Sequence, residues 1–407
     1  MRKKPMIAAG LAVAALAVGL VPATASEPVS LTLPGPSGPF PVGTTELHLV
    51  DEHRTDPWTG RPRELMVSVW YPSARNGERA TQFPPAVAAF YDQNAGVPPG
   101  TADFGGTLTH SRTDATPLPG RRPVVLYSPG GGNSRFLGTT LVEDLASRGY
   151  AVVGIDHTPV SPVQFPDRYE PPQRGVDAAQ VMRERVRDTS FVLDELAAYP
   201  WLDLTRVGMF GHSMGGFTTA EAMVTEHLSG PPASGLTSTE IPVRGTSPGI
   251  SARRREDAGN RPANAERSEA MSQIDAGVNM DGSMDPRAGQ AATVGVTRPF
   301  LLMGGGLTSG APHNHAHSSD WASFWAASTG WRRDVYLPTA EHASFTDAQV
   351  MLPQLEGDFT AAIGTIDPRR GLAAQRKYLA AFFDLHLRGR PTTVFDRPAY
   401  PEVEIVP

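Results

Sequence analysis

The sequence predicts an α/β fold with a mostly parallel central sheet and helices on both faces. Short apolar runs rich in valine and leucine alternate with longer stretches in which apolar residues recur at helical spacing. Such runs are typical of strands that are buried on both faces of a parallel sheet. Their alternation with helices predicts βαβ crossovers. The runs lie at 123–127, 151–155, 207–210 and 300–303.

The other elements are assigned from the periodicity around these runs. Alternating segments at 46–50 and 65–71 predict an antiparallel hairpin. Further strands are predicted at 277–280 and 334–337, and helices at 139–147, 178–199, 217–226, 321–328 and 372–387. Two segments rich in Pro and Gly or in polar residues, 72–122 and 229–271, are predicted to be irregular excursions. We interpret the first as a pocket wall, and the second as either a lid-like insertion or a disordered one.

The first 25 residues have the pattern of a secretory signal peptide. A basic start at 2–4 precedes an apolar stretch at 6–21 and an Ala-Thr-Ala cleavage site at 23–25. The apolar stretch has about 15 residues, whereas a membrane-spanning helix needs about 20, so a retained anchor is the weaker alternative. We therefore expect residues 1–25 to be removed and a secreted domain to span residues 26–407.

Composition limits the classes of partner. The chain contains no cysteine, so no disulfide stabilises the fold. Its formal net charge is −6. An acidic chain is repelled by nucleic acid and by anionic membranes, and neither is an expected partner.

The segment 211–216 reads Gly-His-Ser-Met-Gly-Gly and lies between a predicted strand and a predicted helix. A strand that turns sharply into a helix needs glycine on both sides of the turning residue, because side chains there would clash. This nucleophile elbow predicts an α/β-hydrolase fold with Ser213 as nucleophile. A second Gly-x-Ser-x-Gly, around Ser247, follows no strand, and Pro248 has no N–H to donate to an oxyanion.

Two backbone N–H groups are expected to bind the oxyanion. Met214 follows the nucleophile and can supply one of them. The other is expected from the loop 128–133, Ser-Pro-Gly-Gly-Gly-Asn, in which we favour Gly131 and place Gly132 next. A flexible glycine loop without this role is the alternative.

The base and the acid are sought in the chain order nucleophile, acid, histidine. His342 follows the strand at 334–337 and is the expected base. The loop after the strand at 300–303 has no carboxylate, so the acid is sought one strand earlier, where Asp281 follows the strand at 277–280. Asp285 is the competing candidate, and its other interpretation is a turn or cap before Pro286.

These residues resemble the plasma, single-chain platelet-activating factor acetylhydrolases and their bacterial relatives. The resemblance spans roughly residues 65–387 and rests on 124–132, 144–150, the strand to 156–157, the elbow, Asp281, and His342 with Phe345. In that family the triad acid follows the sixth strand. The resemblance implies a calcium-independent serine esterase that cleaves short or oxidised acyl chains from phospholipids and simpler esters. The family's Ser-His-Gly in the oxyanion loop is Ser-Pro-Gly here.

The expected partner is therefore a small-molecule or lipid ester, with transient contact at a lipid surface. A polyester hydrolase of the cutinase type shares the elbow, but its acid would follow the strand at 300–303. A serine peptidase would need a large extra domain, and a non-catalytic binding protein would lack a triad member.

A run of three alternate histidines, His313, His315 and His317, raises the question of a metal site. We interpret it as a loop whose imidazoles are solvated or cap the helix at 321–328. The serine mechanism needs no metal or other cofactor, because backbone N–H groups meet the oxyanion. Activity is therefore expected to persist in EDTA and after all three histidines are replaced by alanine.

Overall fold

A computed structural model describes residues 27–229, 274–306 and 310–407. Within these ranges the strands are β1 (Val42–Thr55), β2 (Pro62–Pro72), β3 (Arg79–Thr81), β4 (Leu108–Thr113), β5 (Arg122–Ser128), β6 (Ala151–Ile155), β7 (Val163–Gln164), β8 (Tyr169–Glu170), β9 (Leu202–His212), β10 (Ile274–Met280), β11 (Phe300–Gly305), β12 (Arg332–Leu337) and β13 (Glu404–Val406). The helices are α1 (Pro85–Asn94), α2 (Thr139–Ser147), α3 (Ala178–Leu196), α4 (Met214–Ser229), α5 (Ala291–Val294), α6 (Ser319–Ala327), α7 (Ala348–Met351), α8 (Thr360–Ile363) and α9 (Pro368–Arg388). Three 3-10 turns lie at Arg135–Gly138, His342–Phe345 and Leu352–Gln354.

Eleven of the strands form one sheet, in the order β13-β12-β11-β10-β9-β5-β6-β2-β1-β4-β3. The six strands from β12 to β6 pair in parallel. The hairpin of β1 and β2 joins β6 through an antiparallel pair. Because the carboxyl ends of the parallel strands meet at one edge of the sheet, the loops that follow β5, β9, β10 and β12 lie close together.

The core occupies both faces of this sheet, as the apolar runs predict. On β5, Val125 and Tyr127 pack with residues of α2 and α9, whereas Val124 and Leu126 pack with residues of α3, α4 and α6. Alternate side chains of one strand therefore reach opposite helical layers. This two-sided burial explains why the strand sequences are apolar throughout rather than alternating.

The helix ends follow local sequence signals. Asp177 begins α3 by accepting a hydrogen bond from the N–H of Gln180 at 2.7 Å, and Asp367 does the same for Arg370 before α9. Gly389 ends α9 with a φ of 64°, a left-handed conformation that glycine adopts without strain. These signals set the bounds of the two long helices.

The segment 72–122 is more regular than predicted. It contains α1 and the short strands β4 and β3 at one end of the sheet, and its Phe83 and Tyr91 are buried. The sequence pattern did not predict them because β3 has only three residues and the buried positions of β4 are polar, at Thr109 and Ser111, while prolines and glycines surround both strands. β4 pairs with β1, which is distant in the sequence, and β3 pairs with β4 at the edge of the sheet.

A buried cluster of charges ties the hairpin to α3. Arg63 on β2 has no exposed surface, and its guanidinium donates to both carboxylate oxygens of Asp188 at 3.0 and 2.7 Å. It also donates to Asp56 at 2.6 Å. Burial alone would raise the pKa of Asp188, but Arg63 and the hydrogen bond from His157 outweigh it and hold that pKa well below the usual range.

Replacing Arg63 by alanine is expected to lower the free energy of unfolding by about 3–5 kcal/mol, because buried carboxylates then lose their cation. The midpoint of urea unfolding measures the change. Arg61→Ala is the matched control, since Arg61 is half-exposed and pairs with Glu170 at 3.1 Å, where less than about 1 kcal/mol is expected. Equal small losses from the two changes would contradict the assigned role of the cluster.

Candidate active site

Ser213 occupies a sharp turn between β9 and α4. Its φ is 55°, in the left-handed region that is uncommon for a residue with a side chain. The N–H of Ser213 donates to the carbonyl oxygen of Met280 at the end of β10, at 2.8 Å, which holds the turn against the neighbouring strand. The side chain is partly exposed at the carboxyl edge of the sheet. This is the strained elbow that the sequence predicts.

The flanking glycines are required by close packing. A Cβ on Gly211 would lie 2.2 Å from the carbonyl carbon of Gly215, and a Cβ on Gly215 would lie 1.8 Å from the carbonyl oxygen of Ser128. Real Cβ atoms do not approach other atoms so closely. The predicted reason for glycine on both sides of Ser213 is confirmed.

Asp281 lies directly after β10 and is buried. Its φ of 56° is also left-handed, and its N–H donates to the carbonyl oxygen of Met303 at 2.8 Å. Its Oδ2 accepts a hydrogen bond from Nδ1 of His342 at 2.5 Å. Burial would raise the pKa of Asp281, but hydrogen bonds from His313 and His342 and their charge lower it well below the usual range. Asp281 is therefore a carboxylate at neutral pH.

His342 begins the 3-10 turn after β12, and about one third of its side chain is exposed. Its carbonyl oxygen accepts a hydrogen bond from Nε2 of His212 at 2.9 Å, and the two rings lie 4.6 Å apart. Burial lowers the pKa of His212 to about 3, with a smaller effect of His342. The neutral His212 thus connects the elbow to the loop that bears His342, a role that the sequence pattern did not reveal.

Ser213 and His342 form no hydrogen bond with each other in the described part of the chain. Hydrogen bonds between catalytic groups are often long in substrate-free structures and shorten in the complex. The structure thus brings the predicted Asp281 and His342 into direct contact and places Ser213 at the end of β9, which pairs with the strand β10 that precedes Asp281.

The glycine loop after β5 lies against the elbow. A Cβ on Gly130 would lie 3.2 Å from Cβ of Ser213, and a Cβ on Gly131 would lie 3.2 Å from Cε of Met214. The N–H of Gly132 donates to the carbonyl oxygen of Val160 at 2.7 Å, so Gly132, the second choice from the sequence, is already engaged. Among described residues, the N–H of Gly131 has no acceptor and remains available, as does that of Met214 at the first position of α4.

Comparison with known proteins places the chain among esterases. No protein-family model matches it. It is 25% identical, over 98% of this chain and 99% of the relative, to a protein of Arthroderma benhamiae named probable 1-alkyl-2-acetylglycerophosphocholine esterase. It is 34% identical to a ferulic acid esterase from Streptomyces cinnamoneus, whose solved structure gives a TM-score of 0.71 over 93% of this chain and 99% of that chain. The chain belongs to the same family of esterases as this solved enzyme. Over its whole length it is also similar to the 1-alkyl-2-acetylglycerophosphocholine esterase-like relative.

The predicted α/β-hydrolase fold and the prediction of a carboxylic ester hydrolase are thereby confirmed. The parallel order of β12, β11, β10, β9, β5 and β6 agrees with that fold. In this esterase Asp281 follows β10 directly, the strand before β11 along the chain.

A buried network of hydrogen bonds supports the glycine loop 128–133. The fully buried Arg185 of α3 donates to the carbonyl oxygen of Pro129, to Oγ of Ser128 at 2.9 Å and to Oγ1 of Thr218 at 2.7 Å. Nε2 of His157 lies 3.0 Å from Oγ of Ser128. Sequence reasoning missed this network, because its members come from four separate elements.

His157 completes a Ser-His-Asp chain, since its Nδ1 lies 3.0 Å from Oδ2 of Asp188. Burial, together with the positive charge of Arg185, lowers the pKa of His157 to about 3, so the ring is neutral. All three residues have no exposed surface. This second serine-histidine-aspartate set is therefore a support of the glycine loop and has no access to substrate.

The interpretation of the alternate histidines as solvated or helix-capping is wrong for two of them. His313 is buried, donates from Nδ1 to Oδ1 of Asp281 at 2.8 Å, and packs its ring on Trp321. His315 bonds Asp334 at 2.8 Å and stacks on Trp325. Neither contact could be predicted, since both partners are distant in the sequence. No group of three or more potential metal ligands is found among the described residues.

Asp285, the competing acid, forms a local turn and forms no hydrogen bond with Ser213 or His342 among the described residues. Its carboxylate pairs with Arg287 at 2.7 Å, and its carbonyl oxygen accepts from the N–H of Ala288 at 2.9 Å. The turn interpretation before Pro286 is therefore confirmed.

Several predictions fall outside the described residues. These are the signal peptide at 1–25, all but the first residue of the insertion at 229–271, and the second pattern around Ser247. Where the chain is described, no helix is long and apolar enough to span a membrane. A groove of about 780 Å³, between the N-terminal segment and α9, contains none of the triad candidates.

Proposed function

We propose that the chain is an exported serine esterase that hydrolyses short-chain acyl esters through Ser213, His342 and Asp281. The observation that carries this proposal is the hydrogen bond of 2.5 Å between Asp281 and His342, at the sheet edge where Ser213 is strained outward. Such strain in a residue with a side chain is typical of functional sites. The buried carboxylate orients the imidazole and stabilises the cation that forms when it takes a proton.

In the acylation step, Nε2 of His342 removes the proton of the Ser213 hydroxyl while Oγ attacks the ester carbonyl carbon. The carbonyl oxygen becomes an oxyanion, and the N–H groups of Met214 and Gly131 donate to it. The positive end of α4 lies beneath the same site. When the intermediate collapses, the protonated His342 gives its proton to the leaving alcohol, and the acyl group remains on Ser213.

Deacylation repeats these steps with water. His342 takes a proton from water as its oxygen attacks the acyl carbon, and the same N–H groups bind the second oxyanion. Collapse releases the carboxylic acid and returns the proton to Oγ of Ser213. Acylation and deacylation together consume only the ester and water, and neither step needs a redox reagent or a metal.

The segment 72–122 supports the proposal of a short acyl pocket. Its Tyr91 hydroxyl accepts from the N–H of Ser134, immediately after the glycine loop, at 3.0 Å. Its Gln82 donates to Asp347, which follows the turn that bears His342, at 2.9 Å. The segment 72–122 thus contacts both the glycine loop after β5 and the loop that bears His342. In this position it can limit the length of the acyl group.

The curated relative is named for an acetyl ester and the solved relative for ferulic acid, so acetyl and feruloyl esters are the two substrates to compare. We expect kcat/KM for p-nitrophenyl acetate to exceed that for p-nitrophenyl decanoate by about tenfold or more, because a pocket of fixed length rejects extra methylenes. Hydrolysis of methyl ferulate tests the second candidate. A fluorophosphonate should label the peptide that contains Ser213 and abolish hydrolysis. Label on the Ser247 peptide, or no label with full activity, would contradict the proposal.

A further inference from the structure

Asp281 accepts from two imidazoles at once. Its Oδ2 binds Nδ1 of His342 at 2.5 Å, and its Oδ1 binds Nδ1 of His313 at 2.8 Å. The N–H of Gly305 reaches the same Oδ1 at 3.1 Å. A triad of three residues needs only the first of these bonds, so the second imidazole requires an explanation.

The position of His313 is fixed by its surroundings. Its N–H donates to the carbonyl oxygen of Gly305 at 2.9 Å, and its carbonyl oxygen lies 1.9 Å from where a Cβ on Gly304 would stand. Its ring packs on Trp321 with the centroids 4.1 Å apart. The indole of Trp321 in turn donates to the carbonyl oxygen of Gly282 at 2.8 Å, next to Asp281. The donor is therefore held rigidly against the carboxylate.

We propose that His313 is a positioning residue of the catalytic triad, which orients the Asp281 carboxylate so that Oδ2 faces His342. The terminal torsion of an aspartate has a broad energy minimum, so a carboxylate is held in one orientation only when both of its oxygens are bonded. Without His313, the longer bond from Gly305 alone would hold Oδ1. The inference rests on the proposed function, because it assigns a role through Asp281 and His342. It replaces the expectation from the sequence that activity persists when all three alternate histidines become alanine, since His313 bonds the Asp281 carboxylate.

The chain supplies a matched control two residues away. His315 makes the same kind of contact, from Nδ1 to Oδ2 of Asp334 at 2.8 Å, and stacks on Trp325 with the centroids 3.9 Å apart. Asp334 lies within β12 and contacts neither His342 nor Ser213 in the described residues. Loss of His315 thus removes an equivalent packing and polar contact without touching the triad.

The experiment compares kcat and KM of wild type, His313→Phe, His313→Asn and His315→Phe on p-nitrophenyl acetate. A hydrogen bond to a charged group corresponds to about 10- to 100-fold, and we expect His313→Phe to lower kcat by that factor with KM nearly unchanged. His313→Asn should recover most of the rate, because its amide nitrogen can occupy the position of Nδ1. His315→Phe should keep the wild-type kcat.

The outcomes separate this inference from the proposed function. If Ser213→Ala keeps activity, the proposed function is wrong. If Ser213→Ala is inactive while His313→Phe has the wild-type kcat, only the positioning role is wrong. An equal loss of kcat in His313→Phe and His315→Phe would also overturn it, since that result indicates packing alone.

A second pair covers the case in which His313→Phe does not fold. The amide nitrogen of asparagine superposes on Nδ1 of histidine, whereas that of glutamine superposes on Nε2. We expect kcat of His313→Asn to exceed that of His313→Gln by about tenfold, because only the asparagine amide can donate to Oδ1 of Asp281 from the position of Nδ1. Equal rates for these two variants would contradict the inference.

Discussion

Ser213→Ala is expected to abolish hydrolysis of p-nitrophenyl acetate while leaving the protein folded. The triad acts as a unit, and loss of its nucleophile costs a factor on the order of 10⁴ to 10⁶ in kcat. Alanine is close to serine in size and keeps the contacts that hold the turn, above all the backbone bond to Met280. Initial rates with substrate in excess, together with the thermal unfolding midpoint, measure both parts of the prediction.

The control for this change is Ser247→Ala. Ser247 has the same Gly-x-Ser-x-Gly spacing, but Pro248 cannot donate an N–H to an oxyanion. We expect it to keep the wild-type rate. If Ser247→Ala were inactive and Ser213→Ala active, the assignment of the elbow would be wrong.

Asp281→Asn is expected to lower kcat by a factor on the order of 10⁴. The carboxylate accepts from the rings of His342 and His313, one on each oxygen. An amide has one acceptor oxygen, so at least one imidazole loses its partner or changes its tautomer, and the base is no longer oriented toward Ser213. Steady-state kinetics on p-nitrophenyl acetate measure the loss.

Asp285→Asn serves as the control, because Asp285 pairs with Arg287 near the surface. Its kcat should stay within about twofold of wild type, as is usual for surface substitutions. Small and equal effects of the two aspartate changes would show that the acid lies elsewhere.

The order of the strands explains why much of this site was predictable. Each candidate follows an apolar run, and the carboxyl ends of parallel strands meet at one edge of a sheet. Ser213 follows β9, Asp281 follows β10 and His342 follows β12. The choice among the candidates rests on two local signals: the glycines around Ser213, and the absence of a carboxylate in the loop after β11.

The remaining groups of the site were not predictable in this way. His212 lies within the elbow motif and His313 in the run of alternate histidines, but neither pattern indicates a partner. Their partners, the backbone of His342 and the carboxylate of Asp281, are distant along the chain. The same holds for Arg185, which reaches the glycine loop from α3. Hydrogen bonds between distant residues leave no periodicity or spacing from which they could be read.

The sequence by itself determined the parallel sheet, the elbow at Ser213 and the positions of Asp281 and His342, because periodic burial and strained turns leave a local pattern. Only the tertiary structure decided that the N–H of Gly132 donates to the carbonyl oxygen of Val160, and that His313 and His342 both donate to the carboxylate of Asp281. It alone also decided that a strand of the segment 72–122 pairs with β1. These features depend on which distant surfaces come into contact when the chain folds, and the free energy of such contacts is not encoded in any short segment.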